Sequence, residues 1–271
     1  MKIKSFTNVV IITGLFISFQ AHAFDSKTDL STFNIRGLYL GMPTVNALGM
    51  LNNYNPPLRV TKSESDISVI RGSRLRGLKF LLSSSAKQIK PGSKGAVDNF
   101  DLIFSPPNNP DTVMGIGRSQ ILGYQALISD MKALFTKKYG KPAFVSRPSI
   151  GKGISTYTLS WSLKPNGKPQ KDEAMLKHCF GAQNVLLHAN AKANNRLNFQ
   201  QCGFTFIVNL YTNGLVSYNA NTTISSYTAI LYDGNSMREA VGRTIAYSEK
   251  IAKKLDAEKM KKIKGAKMPQ L

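Results

Sequence analysis

Apolar and polar positions along this chain predict a helix followed by strands. Pro43 suits the first turn of a helix, and Val45, Leu48 and Leu51 then recur at helical spacing. Between residues 58 and 122, short β-branched and aromatic runs are separated by Gly and Pro, a pattern typical of strands and turns. This region therefore predicts one helix packed on an antiparallel meander of about four strands.

The same order of elements then recurs. A helix is predicted over residues 126–139, with Gly140 as its C-terminal cap and an apolar face formed by Leu127, Met131, Leu134 and Phe135. Residues 168–178 are polar and predict a loop. A second meander is predicted from strands at 155–163, 185–189, 202–211 and 216–220.

The chain ends in a predicted long helix. Ser236 and Glu239 have the spacing of a capping box at its start. The apolar stripe fades after Leu255, so we expect a docked first half and a solvated cationic second half. The lysines expected to bind an anionic surface there are Lys250, Lys253, Lys254, Lys259, Lys261, Lys262 and Lys264.

Together these elements predict an α+β fold with two helix-on-antiparallel-sheet lobes and a long C-terminal helix. The predicted boundaries are a signal peptide at 1–23, a first lobe at 24–140, a second lobe at 141–235 and a basic helix and tail at 236–271.

The first 23 residues have the pattern of a cleavable secretion signal. Lys2 and Lys4 precede an apolar stretch from Val9 to Phe19, and Ala21-His22-Ala23 supplies the small-x-small motif read by a signal peptidase. The apolar stretch is too short to span a bilayer, and no later segment is apolar for long enough to do so. We therefore expect cleavage after Ala23 and a periplasmic or secreted protein without a transmembrane segment.

The net charge is strongly positive, at +21, and the leader lysines account for only two of these charges. A cationic exported protein is attracted to anionic headgroups, acidic wall polymers or an acidic protein. The alternative is a soluble lysine-rich surface with no specific partner.

The chain has two cysteines, Cys179 and Cys202. In an oxidising compartment such a pair predicts a disulfide, which would stabilise the fold by about 3 kcal/mol. The alternative is a thiol nucleophile at Cys179 beside His178.

Other catalytic patterns are sparse. Ser129 and Lys132 form an S-x-x-K match within the predicted helix 126–139, but the companion S-D-N and K-T-G motifs are missing from the sequence. Asp98 and Asp101 could form a glycosidase-like carboxylate pair, although a solvated strand edge explains them better.

Cofactor, metal and nucleic-acid sites are not predicted. Beyond the leader the only histidines are His178 and His188, without ligand spacing, and no complete dinucleotide fingerprint occurs. The basic run from Arg71 to Lys79 beside Phe80 could contact nucleic acid, but charges that protect an edge strand explain it better.

Two stretches resemble known proteins. "RGLYLGMPTVNALGML" at 36–51 resembles the G-x-x-L-G-M-S/T helix start of the small outer-membrane lipoproteins of the barrel-assembly machinery (SmpA/OmlA, BamE). "ALFTKKYGKP" at 133–142, followed by "YTLSWS" at 157–162, is similar to an element of larger periplasmic proteins. This chain lacks the lipidated cysteine and is about twice as long. The resemblance implies a small-sheet adaptor fold in the cell envelope.

The sequence thus favours a non-catalytic exported binding or adaptor protein that engages an acidic protein or an anionic envelope surface. Two alternatives remain open. One is a secreted hydrolase acting through Ser129/Lys132 or Cys179/His178, and the other is a secreted effector or inhibitor.

Overall fold

A single antiparallel sheet with helices on both faces forms the centre of the molecule. The computed structural model describes residues 24, 28–54, 57–66, 79–89, 96–146, 149–151, 154–187, 201–212 and 222–265. Its strands are β1 (Arg59–Asp66), β2 (Lys79–Ile89), β3 (Ala96–Phe104), β4 (Val113–Leu127), β5 (Phe144–Val145), β6 (Ser149–Gly151), β7 (Ile154–Ser162), β8 (Phe204–Thr212) and β9 (Thr223–Asp233). Its α-helices are α1 (Thr44–Asn52), α2 (Ile128–Tyr139), α3 (Glu173–Leu187) and α4 (Gly234–Gly265).

The strand order is β1-β2-β3-β4-β9-β8-β7-β5, and β6 also pairs with β7. The first four strands form a meander, and β9 joins it to the second half of the chain by pairing with β4. The register there places Ile116 opposite Leu231. The two segments predicted as lobes thus contribute the two halves of one continuous sheet.

Each face of the sheet has its own apolar core. One core contains Phe33, Trp161 and Phe206 together with side chains of α1 and α2. The opposite core contains Ile207, Ile230 and Tyr232 together with side chains of α3 and the start of α4. Alternation along the strands explains the division, because Phe206 and Ile207 are neighbours in β8 that point to opposite faces.

The predicted α+β class and the C-terminal helix are confirmed. The four-stranded first meander is also confirmed, as are helices at α1 and α2 and strands at β7 and β8. The predicted leader at 1–23 and the predicted strand at 216–220 lie outside the described residues.

The loop predicted at 168–178 is confirmed for residues 168–172, but it is wrong from Glu173, where α3 begins. The strand predicted at 185–189 is wrong over the described residues 185–187, which belong to the same helix. Asp172 caps the helix, since its Oδ1 accepts hydrogen bonds from the backbone N–H groups of Ala174 (2.9 Å) and Met175 (3.2 Å). The buried residues Leu176 and Cys179 then follow at helical spacing. The second part of this polar run is therefore the capped start of a helix.

Two finer predictions about helices also need correction. The helix α4 begins at Gly234, and Asp233 caps it by accepting from the Asn235 N–H (3.0 Å) and the Ser236 hydroxyl (2.6 Å), so the Ser236/Glu239 capping box does not mark the start. The predicted apolar faces are also incomplete, since Val45 of α1 is 74% exposed and Leu134 of α2 is 59% exposed.

Within the described residues, none of the helices combines the length and the apolar content needed to cross a bilayer.

Candidate functional site

A disulfide between Cys179 and Cys202 fixes α3 against the start of β8, with Cα atoms 5.8 Å apart. Both cysteines are buried. The Tyr232 hydroxyl donates to the carbonyl oxygen of Cys179 (2.7 Å), and Arg238 Nη1 donates to that of Cys202 (3.0 Å). The predicted disulfide is confirmed, and it ties α3 to β8, β9 and α4.

This placement of α3 leaves a cleft of about 540 Å³ between the helix and the second half of the sheet. The floor comes from β7 and β8, and one wall comes from α3. The described residues that line the cleft are Phe144, Ser146, Thr156, Thr158, Glu173, Leu176, Lys177, Phe180, Ile207, Asn209 and Tyr211. Cavities of this volume are typical of small-molecule sites.

The cleft combines an apolar interior with a few ordered polar groups. Thr158 Oγ1 donates to Asn209 Oδ1 (2.7 Å), and the Thr158 backbone N–H donates to Ser146 Oγ (2.9 Å). At its edge, Lys177 and Glu173 form an exposed i,i+4 ion pair at 2.9 Å. Such a pair contributes little stability, so either charge is available to a ligand.

A second polar centre lies on the opposite face of the sheet, buried beneath α1 and α2. Asp98 of β3 and Arg118 of β4 form a two-pronged ion pair there, with distances of 3.0 Å and 2.8 Å. The Arg118 guanidinium lies between two rings, 5.2 Å from the Phe100 centroid and 5.5 Å from that of Tyr227. Arg118 Nη1 also donates to the Tyr227 hydroxyl, and the Tyr54 hydroxyl donates to Asp98 Oδ2 (3.1 Å). The expectation that Asp98 lies on a solvated strand edge is therefore wrong, since it is 3% exposed.

The surroundings of this pair shift several pKa values. Burial raises the pKa of Tyr227 to about 12, although the charge of Arg118 acts against this. Burial also raises the pKa of Tyr139. For Arg118, burial acts to lower the pKa, but the hydrogen bonds to Asp98 and the electrostatic interactions with Tyr227, Asp98 and Tyr54 together outweigh it, so the pKa lies above its usual value. Near neutral pH Tyr227 and Tyr139 are therefore neutral and Arg118 is charged.

Above this centre, the tight turn Ile35–Leu38 carries Arg36 in a left-handed backbone conformation. Ile35 and Leu38 exchange backbone hydrogen bonds (2.9 and 3.1 Å), and both are buried. The central residues Arg36 (φ 56°) and Gly37 (φ 88°) both have positive φ, as in a type I′ turn. Asn, Asp and Gly are the residues preferred at the first central position, and the left-handed conformation costs an ordinary L-residue roughly 1–2 kcal/mol. The chain tolerates Arg here at a cost in stability.

Arg36 and Lys138 approach the buried pair from two different elements. Arg36 donates to the Tyr54 hydroxyl through Nε (3.3 Å) and Nη2 (3.2 Å). Lys138 at the end of α2 donates to Asn34 Oδ1 (3.1 Å), with Nζ 4.9 Å from the Tyr139 ring centroid. Partial burial lowers the pKa of Lys138, and repulsion from Arg36 and Arg118 adds to the effect. We call Arg36, Lys138 and the Tyr54 hydroxyl the upper cationic site.

The lysines predicted to bind an anionic surface lie in the distal part of α4. Lys250, Lys253, Lys254 and Lys261 are exposed, and Ser248 is the last described residue of the helix that is buried. The side chains of Lys259, Lys262 and Lys264 lie outside what the structure describes.

The structure gives different outcomes for the two predicted catalytic pairs, Cys179/His178 and Ser129/Lys132. Cys179 is in the disulfide, so it has no thiol to act with His178. Ser129 and Lys132 are exposed on the first turns of α2, and the Ser129 hydroxyl donates to the adjacent Asp130 Oδ1 (3.4 Å). No group of three His, Cys, Asp or Glu side chains with metal-site geometry occurs among the described residues.

The sequence analysis did not predict the buried Asp98–Arg118 pair or the upper cationic site. Asp98 and Arg118 are twenty residues apart and meet only because β3 and β4 pair. The Arg36-Gly37 dipeptide did carry a signal, because Gly at the second central position is typical of type I′ turns.

Comparisons of this chain with protein families, with curated proteins and with solved structures found no match.

Proposed function

We propose that this chain is a non-catalytic, exported binding protein of the cell envelope that engages an anionic envelope surface. The pattern of the first 23 residues supports export, with cleavage after Ala23 and a periplasmic or secreted destination. The disulfide supports the same compartment, because such bonds persist where thiols are oxidised. The resemblance of residues 36–51 to envelope lipoproteins points the same way.

The observation that carries the proposal is the cationic distal half of α4. Lys250, Lys253, Lys254 and Lys261 are exposed, and none forms an ion pair with a carboxylate of the described residues. From residue 249 to the end of α4 the helix is about 25 Å long at the usual rise per residue. It therefore presents a row of exposed lysines that take no part in the packing of the described core.

Such a row acts on an anionic surface through long-range attraction. Each lysine close to an anionic bilayer contributes about 1 kcal/mol, and the attraction decays within a Debye length of about 8 Å at physiological ionic strength. Binding by this helix is therefore expected to weaken steeply as salt is added. An acidic protein is the competing partner, and it would bind with a defined stoichiometry.

The test compares two sets of four Lys→Gln substitutions in the mature chain. The first set replaces Lys250, Lys253, Lys254 and Lys261. The control set replaces Lys132, Lys164, Lys168 and Lys171, which are also exposed but lie elsewhere. Both variants lose the same charge, so a difference between them reports on the helix.

Binding is measured by cosedimentation with zwitterionic vesicles, anionic vesicles and purified anionic wall polymer. We expect the α4 variant to lose binding to the anionic surface by about a hundredfold, for four lysines each contributing somewhat less than 1 kcal/mol. The control variant should retain most of its binding. Equal losses in both variants, or no binding by the unmodified chain at low salt, would contradict the proposal.

A second candidate function concerns the cleft beside α3. Its volume and apolar floor favour a small amphipathic ligand whose polar end meets Asn209 and Thr158. A Thr156→Trp substitution would fill the cleft, whereas Ser226→Trp adds the same bulk to the same sheet face on β9, outside the cleft. Binding of an apolar fluorescent sulfonate should be lost in the first variant and kept in the second.

A further inference from the structure

The upper cationic site has more positive charge than its surroundings balance. Arg36 is linked to Arg118 through the Tyr54 hydroxyl and Asp98. Lys138 donates to Asn34, two residues before Arg36 in the chain. The described carboxylate next to these cations is Asp98, and its two oxygens already accept hydrogen bonds from Arg118 and Tyr54. Two positive charges are therefore left without a counter-charge among the described residues.

The hydrogen bonds of these two cations go to neutral acceptors. Arg36 donates to the Tyr54 hydroxyl, and Lys138 donates to Asn34 Oδ1. A guanidinium has five N–H donors and an ammonium has three, so both retain donors for a ligand. Arg36 and Lys138, which belong to two separate elements, are thus held in place while each still has N–H donors for a ligand.

The backbone of Arg36 is an independent indication of a role for its side chain. The turn would accept Asn or Gly at this position with less strain, yet it carries an arginine at φ 56°. Ile35 and Leu38 anchor the turn in the core, and Asn34 Oδ1 accepts from the Gly37 N–H (3.2 Å) as well as from Lys138. One rigid turn therefore positions both cations. Strained residues of this kind cluster at binding sites.

We propose that Arg36 and Lys138 bind a phosphate group, as inorganic phosphate or as a phosphate monoester, over the Tyr54 hydroxyl. A phosphate dianion would balance the two excess charges. Its oxygens suit an arginine fork and a lysine point charge together. The pKa of Lys138 is lowered first by burial and then by repulsion from Arg36 and Arg118, and a bound anion would favour the charged form against both effects.

This site is separate from the proposed surface-binding helix. Arg118, Tyr227 and Phe100 belong to the sheet face covered by α1 and α2, whereas α4 packs on the opposite face through Met237. The substitutions in α4 leave the upper cationic site intact. Phosphate binding by this site can therefore be tested independently of surface binding by α4.

The decisive variants are Arg36→Asn and Lys138→Gln, with Lys137→Gln as the matched control. Lys137 is the exposed neighbour of Lys138 in the last turn of α2, and its loss changes the net charge equally. Asn suits the left-handed position, so Arg36→Asn should keep or raise the melting temperature while it removes a ligand. A loss of binding in this variant therefore cannot be attributed to unfolding.

Affinity for inorganic phosphate is measured by calorimetric titration of the full mature chain at low salt. We expect Arg36→Asn and Lys138→Gln each to weaken binding by about tenfold or more, as loss of a charge-assisted hydrogen bond predicts, and Lys137→Gln to weaken it less than about twofold. Unchanged affinity in Arg36→Asn, or an equal loss in Lys137→Gln, would overturn the proposal.

A second arm distinguishes the source of the phosphate. Vesicles bearing phosphatidic acid present a monoester, whereas vesicles bearing phosphatidylglycerol, at a mole fraction that gives the same surface charge, present a diester. To remove attraction through α4, the arm uses the variant with four Lys→Gln substitutions in that helix. Preference for phosphatidic acid, abolished by Arg36→Asn, would assign the site to a lipid headgroup. Binding of inorganic phosphate without that preference would assign it to a soluble phosphate, and binding of neither would overturn the proposal.

Discussion

Arg118 and Asp98 are joined by two parallel hydrogen bonds, and both side chains are almost fully removed from solvent, at 7% and 4% exposure. They come from neighbouring strands, and Arg118 lies opposite Phe100 in the register. Arg118 also donates to the Tyr227 hydroxyl, and Asp98 also accepts from the Tyr54 hydroxyl. The first half of the sheet is therefore linked to β9 by a polar network within an aromatic core.

Removal of one member of this pair should be far more harmful than removal of both. Arg118→Met leaves a buried carboxylate without its partner, and we expect the free energy of unfolding to fall by about 3–5 kcal/mol. The double variant Arg118→Met with Asp98→Leu removes both charges and should recover much of that loss. Urea denaturation of the single and double variants measures the coupling. Additive losses would show that the pair contributes no coupling energy.

Loss of the disulfide should destabilise the fold without abolishing it. The bond closes a loop with a sequence separation of 23 residues, for which chain entropy predicts a stabilisation of about 3 kcal/mol. The double variant Cys179→Ala with Cys202→Ala should lower the urea midpoint accordingly. A reducing agent should lower the midpoint of the unmodified chain and leave that of the variant unchanged. A reductant effect on the variant would indicate that the loss has another cause.

Gly203 and Gly234 should not tolerate a side chain. A Cβ at Gly203 would lie 2.5 Å from the carbonyl oxygen of Lys164, and one at Gly234 would overlap the carbonyl oxygen of Cys202. Neither obstacle is a flexible side chain, so we expect Gly→Ala at either position to cost about 1–3 kcal/mol or more. Gly242 is the control, because a Cβ there meets nothing within 4 Å and Ala favours a helix by about 1 kcal/mol. Thermal unfolding should give opposite signs for the two kinds of substitution.

Stability should fall steeply in alkaline solution because burial raises the pKa values of three tyrosines. Burial raises the pKa of Tyr227 to about 12, and it also raises the pKa values of Tyr139 and Tyr232. An unfolded tyrosine ionises near pH 10, so the folded state binds more protons above that pH. This contribution to stability is complete below about pH 10 and is lost as the pH rises through about 12. The lowered pKa of Lys138 acts in the opposite direction but involves one partly exposed group.

Urea midpoints measured from neutral to strongly alkaline pH check this expectation. The slope above about pH 10 should be smaller in Tyr227→Phe than in the unmodified chain, even though the variant is less stable at neutral pH. An unchanged slope would mean that Tyr227 does not titrate on unfolding.

Local signals were sufficient for most elements of this fold. Gly140 and the apolar spacing of 126–139 predicted α2, and runs separated by Gly and Pro predicted β2, β3 and β4. The helix α3 was missed because its first turn is polar, and its cap at Asp172 resembles a turn residue until the contacts of Leu176 are known. Pairing of β4 with β9 depends on contacts distant in sequence, which local periodicity does not encode.

The sites were harder to predict than the elements. The disulfide was predicted from the two cysteines and the predicted leader, and this prediction required no knowledge of the fold. The pair Asp98–Arg118 requires knowledge of which strands are adjacent, and the cleft requires the position of α3 over β7 and β8. Of the upper cationic site, only the Arg36-Gly37 turn has a local signature.

The seam between β4 and β9 has a consequence for how the chain matures. The ribosome synthesises the amino-terminal half first, and until residue 223 emerges β4 remains an edge strand with unpaired backbone N–H and C=O groups. Nascent chains would then be most vulnerable to mispairing just before the last strand arrives. A chaperone that binds β4 during that interval would raise the yield of native protein without binding to the folded protein.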